Sequence, residues 1–350
     1  MAQLDLQAGF ADHAALEHFL HAAGWLAPAR HVRSVTSPGA GNMNVTARVT
    51  ADDGTAFILK QALPYVAKYP HIAAPETRIL SEIAFHRAVA TAPEVASRLP
   101  ELLFFAPAHR LAVFADLGPS SDMTAMYTGA RPTPATLAEL LTWLAALHHL
   151  QLRPDDWGEA LANRPMRALN HEHIFQVPLT GDGAPDLDAI TPGLHNAATA
   201  LRADNAYRAK VRLLGEVYLA DDAFLLHGDF YPGSWLLQDG ATKIFDTEFA
   251  FFGRPEFDVG VFVAHLLLAG YPLRATDDAL THYPAPPTFS ADLVRAFAGV
   301  EVMRRLLGVA QLPLVLPIAT KQALLTLSRT LVLGNLARRR PRRSQTRSSQ

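Results

Sequence analysis

Three stretches of this 350-residue sequence carry side chains whose types and spacing suit chemistry on phosphate groups. The most informative is His227-Gly228-Asp229-Phe230-Tyr231-Pro232-Gly233-Ser234, followed after a short apolar strand by Asp246-Thr247-Glu248. One acid just past a strand, with two more seventeen and nineteen residues on, can set one carboxylate at a hydroxyl and two at a divalent cation. Phosphoryl transfer needs that division of labour, because it asks for positioning and charge neutralisation more than covalent help. Alternation along Lys243-Ile244-Phe245 predicts that Asp246 and Glu248 share one side of an extended segment. Either piece alone fits a structural role, Asp229 capping a loop and Asp246 at a turn; the two at this spacing do not.

The second stretch, Gly39-Ala40-Gly41-Asn42-Met43-Asn44, lies between two predicted strands. Glycines let backbone amides approach an anion closely. An ordinary hairpin turn is the plain alternative, and a dinucleotide fingerprint is excluded because a strand, not a helix, follows. The third is Lys60, which closes the apolar run Phe57-Ile58-Leu59 sixteen residues beyond Asn44. A lysine there reaches phosphates if a carboxylate on the next helix holds it. Glu82 is the expected partner, with Glu76 the second choice.

These residues need a scaffold, and the pattern around them supplies one. Apolar residues at helical spacing predict a helix from Asp12 to Trp25, ended by Pro28. Strands are predicted at Val32–Thr36, Val45–Thr50 and Ala56–Lys60 in an antiparallel meander, then a helix over Pro75–Ala90 and strands at Leu102–Phe105 and Leu111–Phe114. After Asp116 the character changes to long helical patterns at Pro134–Leu150, Asn196–Leu219, Glu256–Ala269, Ser290–Leu307 and Ala319–Leu336. Short strands interrupt them at Phe224–His227, Trp235–Leu237 and Lys243–Phe245. The expected division is residues 1–116, rich in strands, 117–337, rich in helices, and a basic unstructured tail, 338–350.

Composition narrows the field. Hydrophobic residues make up 49% and charged residues 18%, enough to bury a core and to exclude disorder of the whole chain. The formal charge is −2, and taking away the six arginines of the tail leaves −8, the wrong sign for nucleic-acid binding by the body of the protein. Cysteine is absent, which excludes disulfides, thiolate metal sites and a cysteine nucleophile. The first residues lack a basic start before an apolar core, so no secretory signal is read, and Val259–Ala269 is too short to cross a bilayer. The expectation is a soluble cytoplasmic protein without membrane or nucleic-acid partners.

Taken together, the motifs resemble those of the kinase-like small-molecule phosphotransferases, the aminoglycoside and choline kinase family, and within it the methylthioribose kinases. Gly39–Asn44 resembles that branch's glycine loop, and Leu59-Lys60-Gln61-Ala62-Leu63-Pro64-Tyr65-Val66 is similar to its lysine segment. His227-Gly228-Asp229 with Gly233-Ser234, Asp246-x-Glu248-Phe249-Ala250-Phe251-x-Gly253, and Arg304-Arg305 before Leu306-Leu307-Gly308 match its later motifs in order. The resemblance runs from about residue 35 to residue 310. It implies a two-lobed protein-kinase-like α+β fold with an antiparallel-sheet N-lobe for the nucleotide and a mainly helical C-lobe for catalysis and substrate.

By the same resemblance ATP and Mg²⁺ are the cofactors, and the γ-phosphoryl group goes to a hydroxyl of a small polar acceptor, 5-methylthioribose leading. Asp229 would orient or deprotonate that hydroxyl and contact the substrate, and Asp246, Glu248 and Ser234 would hold the metal. Gly39, Gly41, Asn42, Asn44, Lys60 and Glu82 would serve the nucleotide, and Phe114, Asp116 and Leu117 stand at the adenine hinge. Arg304 and Arg305 would stabilise the transferring group or hold the sugar, and a homodimer is implied. The chain departs from the branch at Ala40, Phe230-Tyr231-Pro232, Thr247, the hinge Phe114-Ala115-Asp116-Leu117 and Lys68-Tyr69-Pro70-His71-Ile72. The alternatives are the same chemistry on an aminoglycoside or another natural product, and a non-catalytic nucleotide-binding protein.

Smaller features have plainer readings. His148 and His149 are adjacent on a helix, point about 100° apart and cannot share a metal, which leaves core or cap roles. Asp258 is read as a helix N-cap or as support for the metal segment. Trp157 and Trp235 are read as core aromatics, and the arginine tail as a solvated end.

Overall fold

The structure, a computed structural model, describes residues 4–334 apart from Ala11, Ala40, Asn42 and Asp239. The expectations for Ala40, Asn42 and the arginine tail lie outside the described residues. An N-terminal antiparallel sheet comes first, formed by β1 (Val32–Thr36), β2 (Val45–Ala51), β3 (Ala56–Gln61), β6 (Leu102–Ala106) and β7 (Leu111–Ala115) in the order β1-β2-β3-β7-β6. Its centre is β3, where Lys60 sits opposite Thr46 of β2 and Ala112 of β7.

Alternation along β3 decides what each residue meets. Phe57 and Leu59 join Leu16, Phe19 and Leu20 of helix α1 (His13–Ala22) in one apolar cluster. Ile58 turns the other way, against Ile79 and Ile83 of helix α2 (Arg78–Val89). Lys60 shares that second face, which brings it under α2. A short hairpin, β4 (Tyr65–Val66) with β5 (Tyr69–Ala73), stands outside the main sheet and was not foreseen from the sequence.

The remainder is helical, wrapped around short strand pairs. Helix α3 (Pro134–His148) is followed by α4 (Leu194–Arg202), α5 (Asn205–Leu219), α6 (Glu256–Leu268), α7 (Ala291–Leu307) and α8 (Ile318–Leu333). The single helix expected over Asn196–Leu219 is two, because the Asp204 carboxylate caps a new helix by accepting from the Tyr207 amide. Strands β8 (Ser121–Asp122), β10 (Trp235–Gln238) and β11 (Ala241–Ile244) form one small sheet. Strands β9 (Phe224–Leu226) and β12 (Phe251–Gly253) form another, so β9 pairs with a strand the sequence reading lacked.

The large core has Trp143, Phe230, Trp235 and Phe262 at its centre, with Trp143 and Phe230 stacked at 5.6 Å. Trp235 is fully buried and Trp157 packs against the same core, as expected of both. His148 is buried and bonded to Tyr283 and Asp258, and His149 ends α3, so both hold the structural places predicted for them. No helix among the described residues is long and apolar enough to cross a membrane.

Candidate functional site

The site lies where the face of β3 that carries Lys60 meets the loops leaving β9 and β11. Lys60 Nζ donates to Glu82 Oε1 of α2 at 3.0 Å, lies 2.8 Å from Glu82 Oε2 as an ion pair, and donates also to Asp246. Glu82 is therefore the partner, as expected, in preference to Glu76. Burial alone would lower the Lys60 ammonium, but Asp246 and Glu82 beside it hold it above its ordinary value.

The Asp246–Glu248 segment differs from its expected form. Asp246 has φ +69° and ψ +53°, a left-handed conformation, and Thr247–Phe249 is a tight helical turn. The strand has ended, so the two acids do not share a side by alternation. Asp246 faces Lys60, while Glu248 drops into a fully buried place where the Asn44 amide donates to it at 2.7 Å and Arg78 Nε lies 3.3 Å away. Burial would raise Asp246, but Lys60 holds it below the usual range. Burial first, and then the charge of Asp246, pushes Glu248 up to about 8.

Arg78 was missed in the sequence. It opens α2, is fully buried and donates to Asn44 Oδ1 at 2.8 Å and to the carbonyls of Met43, Leu63 and Pro75. Its position four residues before Glu82 was the available signal, since that spacing puts both on one helix face. Asn44 consequently spends both side-chain ends on Glu248 and Arg78 and is turned inward. Gly39 and Gly41 lie in the β1–β2 connection, where a Cβ at Gly39 would meet no described atom within 4 Å.

Asp229 follows β9 in a loop held from behind. Asp258 of α6 is fully buried and accepts from the His227 amide at 2.7 Å and the Gly228 amide at 3.0 Å. It is not the N-cap of α6, which is Pro255; it fixes the Asp229 loop, whose His227 ring in turn donates to the Phe245 carbonyl just before Asp246. Gly228 has φ +84°, and a Cβ there would lie 2.1 Å from the Phe249 carbonyl oxygen. Gly228→Ala is therefore expected to cost more than about 3 kcal/mol of stability, combining a backbone clash with a strained φ; thermal melting checks this.

Arg305 Nη2 donates to Asp229 Oδ1 at 3.2 Å, and Arg304 Nη1 lies 3.7 Å from the same oxygen. Burial pushes the Asp229 carboxyl up, and the two arginines oppose the shift without cancelling it. Ser234, also buried, gives its hydroxyl to the Asp229 carbonyl at 3.2 Å. Asp229, Asp246, Arg304 and Arg305 line one pocket of about 120 Å³, walled by Met43, Val66, Ile72, Leu169 and Leu312 among others. A larger depression of about 520 Å³ against α5, near Arg208 and Arg212, holds none of the predicted groups.

The hinge residues lie apart from this cluster, at the end of β7. Phe114 is buried against α2, the Asp116 carboxylate is taken by Arg48 and by the Gly118 amide, and the Leu117 carbonyl accepts from Gln238.

An antiparallel sheet carrying a paired lysine, packed on a helical body that presents acids on two loops, is the architecture of the kinase-like phosphotransferases. Solved structures agree on the fold: the AMP-bound complex of spectinomycin phosphotransferase matches with a TM-score of 0.54 at 11% identity, over 93% of this chain and 98% of that one. A choline kinase of Streptococcus pneumoniae matches at 0.51 and 12%, over 91% of each chain. The sequence profile of the Phosphotransferase enzyme family matches residues 34–306, and the chain belongs to that family. Its curated relatives include methylthioribose kinases. That of Exiguobacterium sibiricum is 30% identical over 244 residues, covering 67% of this chain and 61% of the relative. That of Geobacillus thermodenitrificans is 24% identical over 317 residues, 78% of each.

Proposed function

We propose that the protein is an ATP- and Mg²⁺-dependent small-molecule kinase that passes a γ-phosphoryl group to a hydroxyl of a small polar acceptor, with 5-methylthioribose the leading candidate. The observation that carries this reading is the convergence of Asp229, Asp246, Arg304 and Arg305 on one pocket beneath the Lys60–Glu82 pair. In this reading residues 1–116 bind the nucleotide and 117–337 supply catalysis and acceptor binding. Lys60, steadied by Glu82, meets the α- and β-phosphates, and the Phe114–Leu117 backbone meets the adenine.

The donor set fits a hard cation. Glu248 Oε1 is buried without a hydrogen-bond partner, and the Asp246 and Glu248 charges are close enough to disfavour each other. A divalent ion held by Asp246 and Glu248 would bring both into their charged forms and supply neutralisation of the phosphate oxygens. Ser234, expected as a third metal-binding residue, instead spends its hydroxyl on the Asp229 carbonyl and braces that loop. Asp229, raised by burial toward the range of a useful base, orients the acceptor hydroxyl and takes its proton. The apolar pocket walls suit an acceptor with an apolar end as well as hydroxyls.

The test is ADP release with Mg·ATP against 5-methylthioribose, ribose, choline, homoserine and kanamycin, with Asp229→Ala as background. Saturable turnover with 5-methylthioribose alone is the expected result. Turnover with kanamycin or choline instead moves the acceptor assignment, and ATP binding with no transfer to any acceptor removes the catalytic reading.

A further inference from the structure

Behind Arg304 and Arg305 runs a buried row of polar side chains that the reaction as proposed does not use. Tyr127 Oη lies 2.5 Å from His265 Nδ1, and His265 Nε2 lies 3.2 Å from Glu301 Oε1. Glu301 then takes Arg305 Nε at 2.6 Å and Arg304 Nη1 at 3.0 and 3.2 Å. The row draws on the turn at Met123–Thr128, on α6 and on α7, and every member is at most 7% exposed. Arg305 also lies over the Tyr231 ring at 4.6 Å.

Burying two guanidiniums, a carboxylate, an imidazole and a phenol is a poor route to stability, because well-packed apolar side chains of the same shape do as well or better. What the row does is geometric. Both arginines approach Asp229 through Oδ1 alone, and Oδ2 has no hydrogen-bond partner among the described residues. Two guanidiniums with no other counter-charge would grip both oxygens of the nearest carboxylate in forked pairs. Glu301 takes up that capacity, since it binds one guanidinium through Nε and the other through Nη1. The four charges Arg304, Arg305, Glu301 and Asp229 sum to zero.

The rear of the row is fixed in one sense. Burial drives His265 down to about 4, so the imidazole is neutral; its Nε2–H donates to Glu301, and its Nδ1 accepts the Tyr127 hydroxyl proton. Arg304 and Arg305 hold Glu301 well below the usual carboxylate range against the effect of burial, so it stays charged.

We propose that Tyr127, His265 and Glu301 form a positioning chain for phosphoryl transfer: Glu301 shares and aims the two guanidiniums so that one oxygen of Asp229 remains available to the acceptor. The chain touches no reacting atom and acts through the arginines. It rests on the kinase reading above.

The test uses the full chain with Mg·ATP and 5-methylthioribose, a fluorescent ATP analogue for nucleotide affinity, and thermal melting. Glu301→Gln keeps the volume and removes the charge; it is expected to lower kcat/KM for the acceptor about 100-fold, through both kcat and KM, as misaimed groups do. Nucleotide Kd stays within about twofold, because no group of the chain touches the nucleotide side. Glu301→Asp recovers part of the loss, and Tyr127→Phe, which removes one hydroxyl and leaves the buried His265 Nδ1 without its donor, lowers kcat/KM by about 3–10-fold with a fall in melting temperature of only a few degrees. Wild-type kcat/KM in folded Glu301→Gln overturns the proposal, as does a loss that falls equally on nucleotide Kd. If Glu301→Gln does not fold, wild-type kinetics in Tyr127→Phe overturn it. If the wild type phosphorylates no acceptor, the substrate assignment fails and the Nε–H resonances of Arg304 and Arg305 carry the test: they shift in Tyr127→Phe if the chain aims them, and stay put if it does not.

Discussion

Asp229→Asn is expected to lower turnover about 10²–10⁴-fold, the range a positioned general base contributes, while the affinity for a nucleotide analogue is unchanged. The substitution keeps the side-chain volume and the Arg305 contact at 3.2 Å can still be made to the amide oxygen, so the loss reports the missing negative charge and proton acceptor rather than a collapsed loop. The loop itself is held by Asp258 through the His227 and Gly228 amides, which the change does not touch. Steady-state ADP release and nucleotide titration on the same preparation check both halves. Near wild-type turnover would remove Asp229 from its assigned role, and parallel loss of nucleotide binding would point to a folding effect.

The second large effect is expected from a residue outside the catalytic motif. Arg78→Met should lower the unfolding free energy by about 3–5 kcal/mol, because it leaves several buried acceptors without their donor. The methionine fills much of the space, but the carbonyls of Met43, Leu63 and Pro75, the Asn44 amide oxygen and Glu248 all lose a donor at once. Denaturant unfolding measures the change; a loss under about 1 kcal/mol, the scale of a surface ion pair, would mean that water or Asn44 replaces the guanidinium.

These two residues mark what the sequence makes legible. Asp229, Lys60, Asp246, Glu248 and the arginine pair sit in local runs whose order and spacing constrain their chemistry, and β3 announces its two faces by simple alternation. Arg78, Glu301, His265 and Tyr127 sit in no such run. Their roles come from contacts across long stretches of chain, as in the Tyr127–His265 bond across 138 positions and the Asn44–Glu248 bond across 204. Tertiary packing alone creates those neighbours. The Asp-x-Glu segment went wrong for a local reason: the period-two rule holds only while φ stays extended, and Asp246 leaves that region. The Asn196–Leu219 pattern misled because its apolar spacing continues through Asp204, whose capping side chain outweighs it. The N-cap reading of Asp258 missed because an acid in the first turn of a helix usually serves that helix, and here it serves the neighbouring loop.

The ties between the sheet and the Asp246–Glu248 turn also bear on how such enzymes could be recombined. Lys60 has Asp246 as a counter-charge, and Arg78 with Asn44 has Glu248. A chimaera that joined this sheet to a foreign helical half would leave Lys60 with Glu82 alone, and Arg78 and Asn44 without Glu248, wherever the donor's turn differed. Residues 44, 60, 78, 82, 246 and 248 therefore behave as one heritable unit scattered along the chain, and crossovers that separate them are the ones a shuffled library should lose.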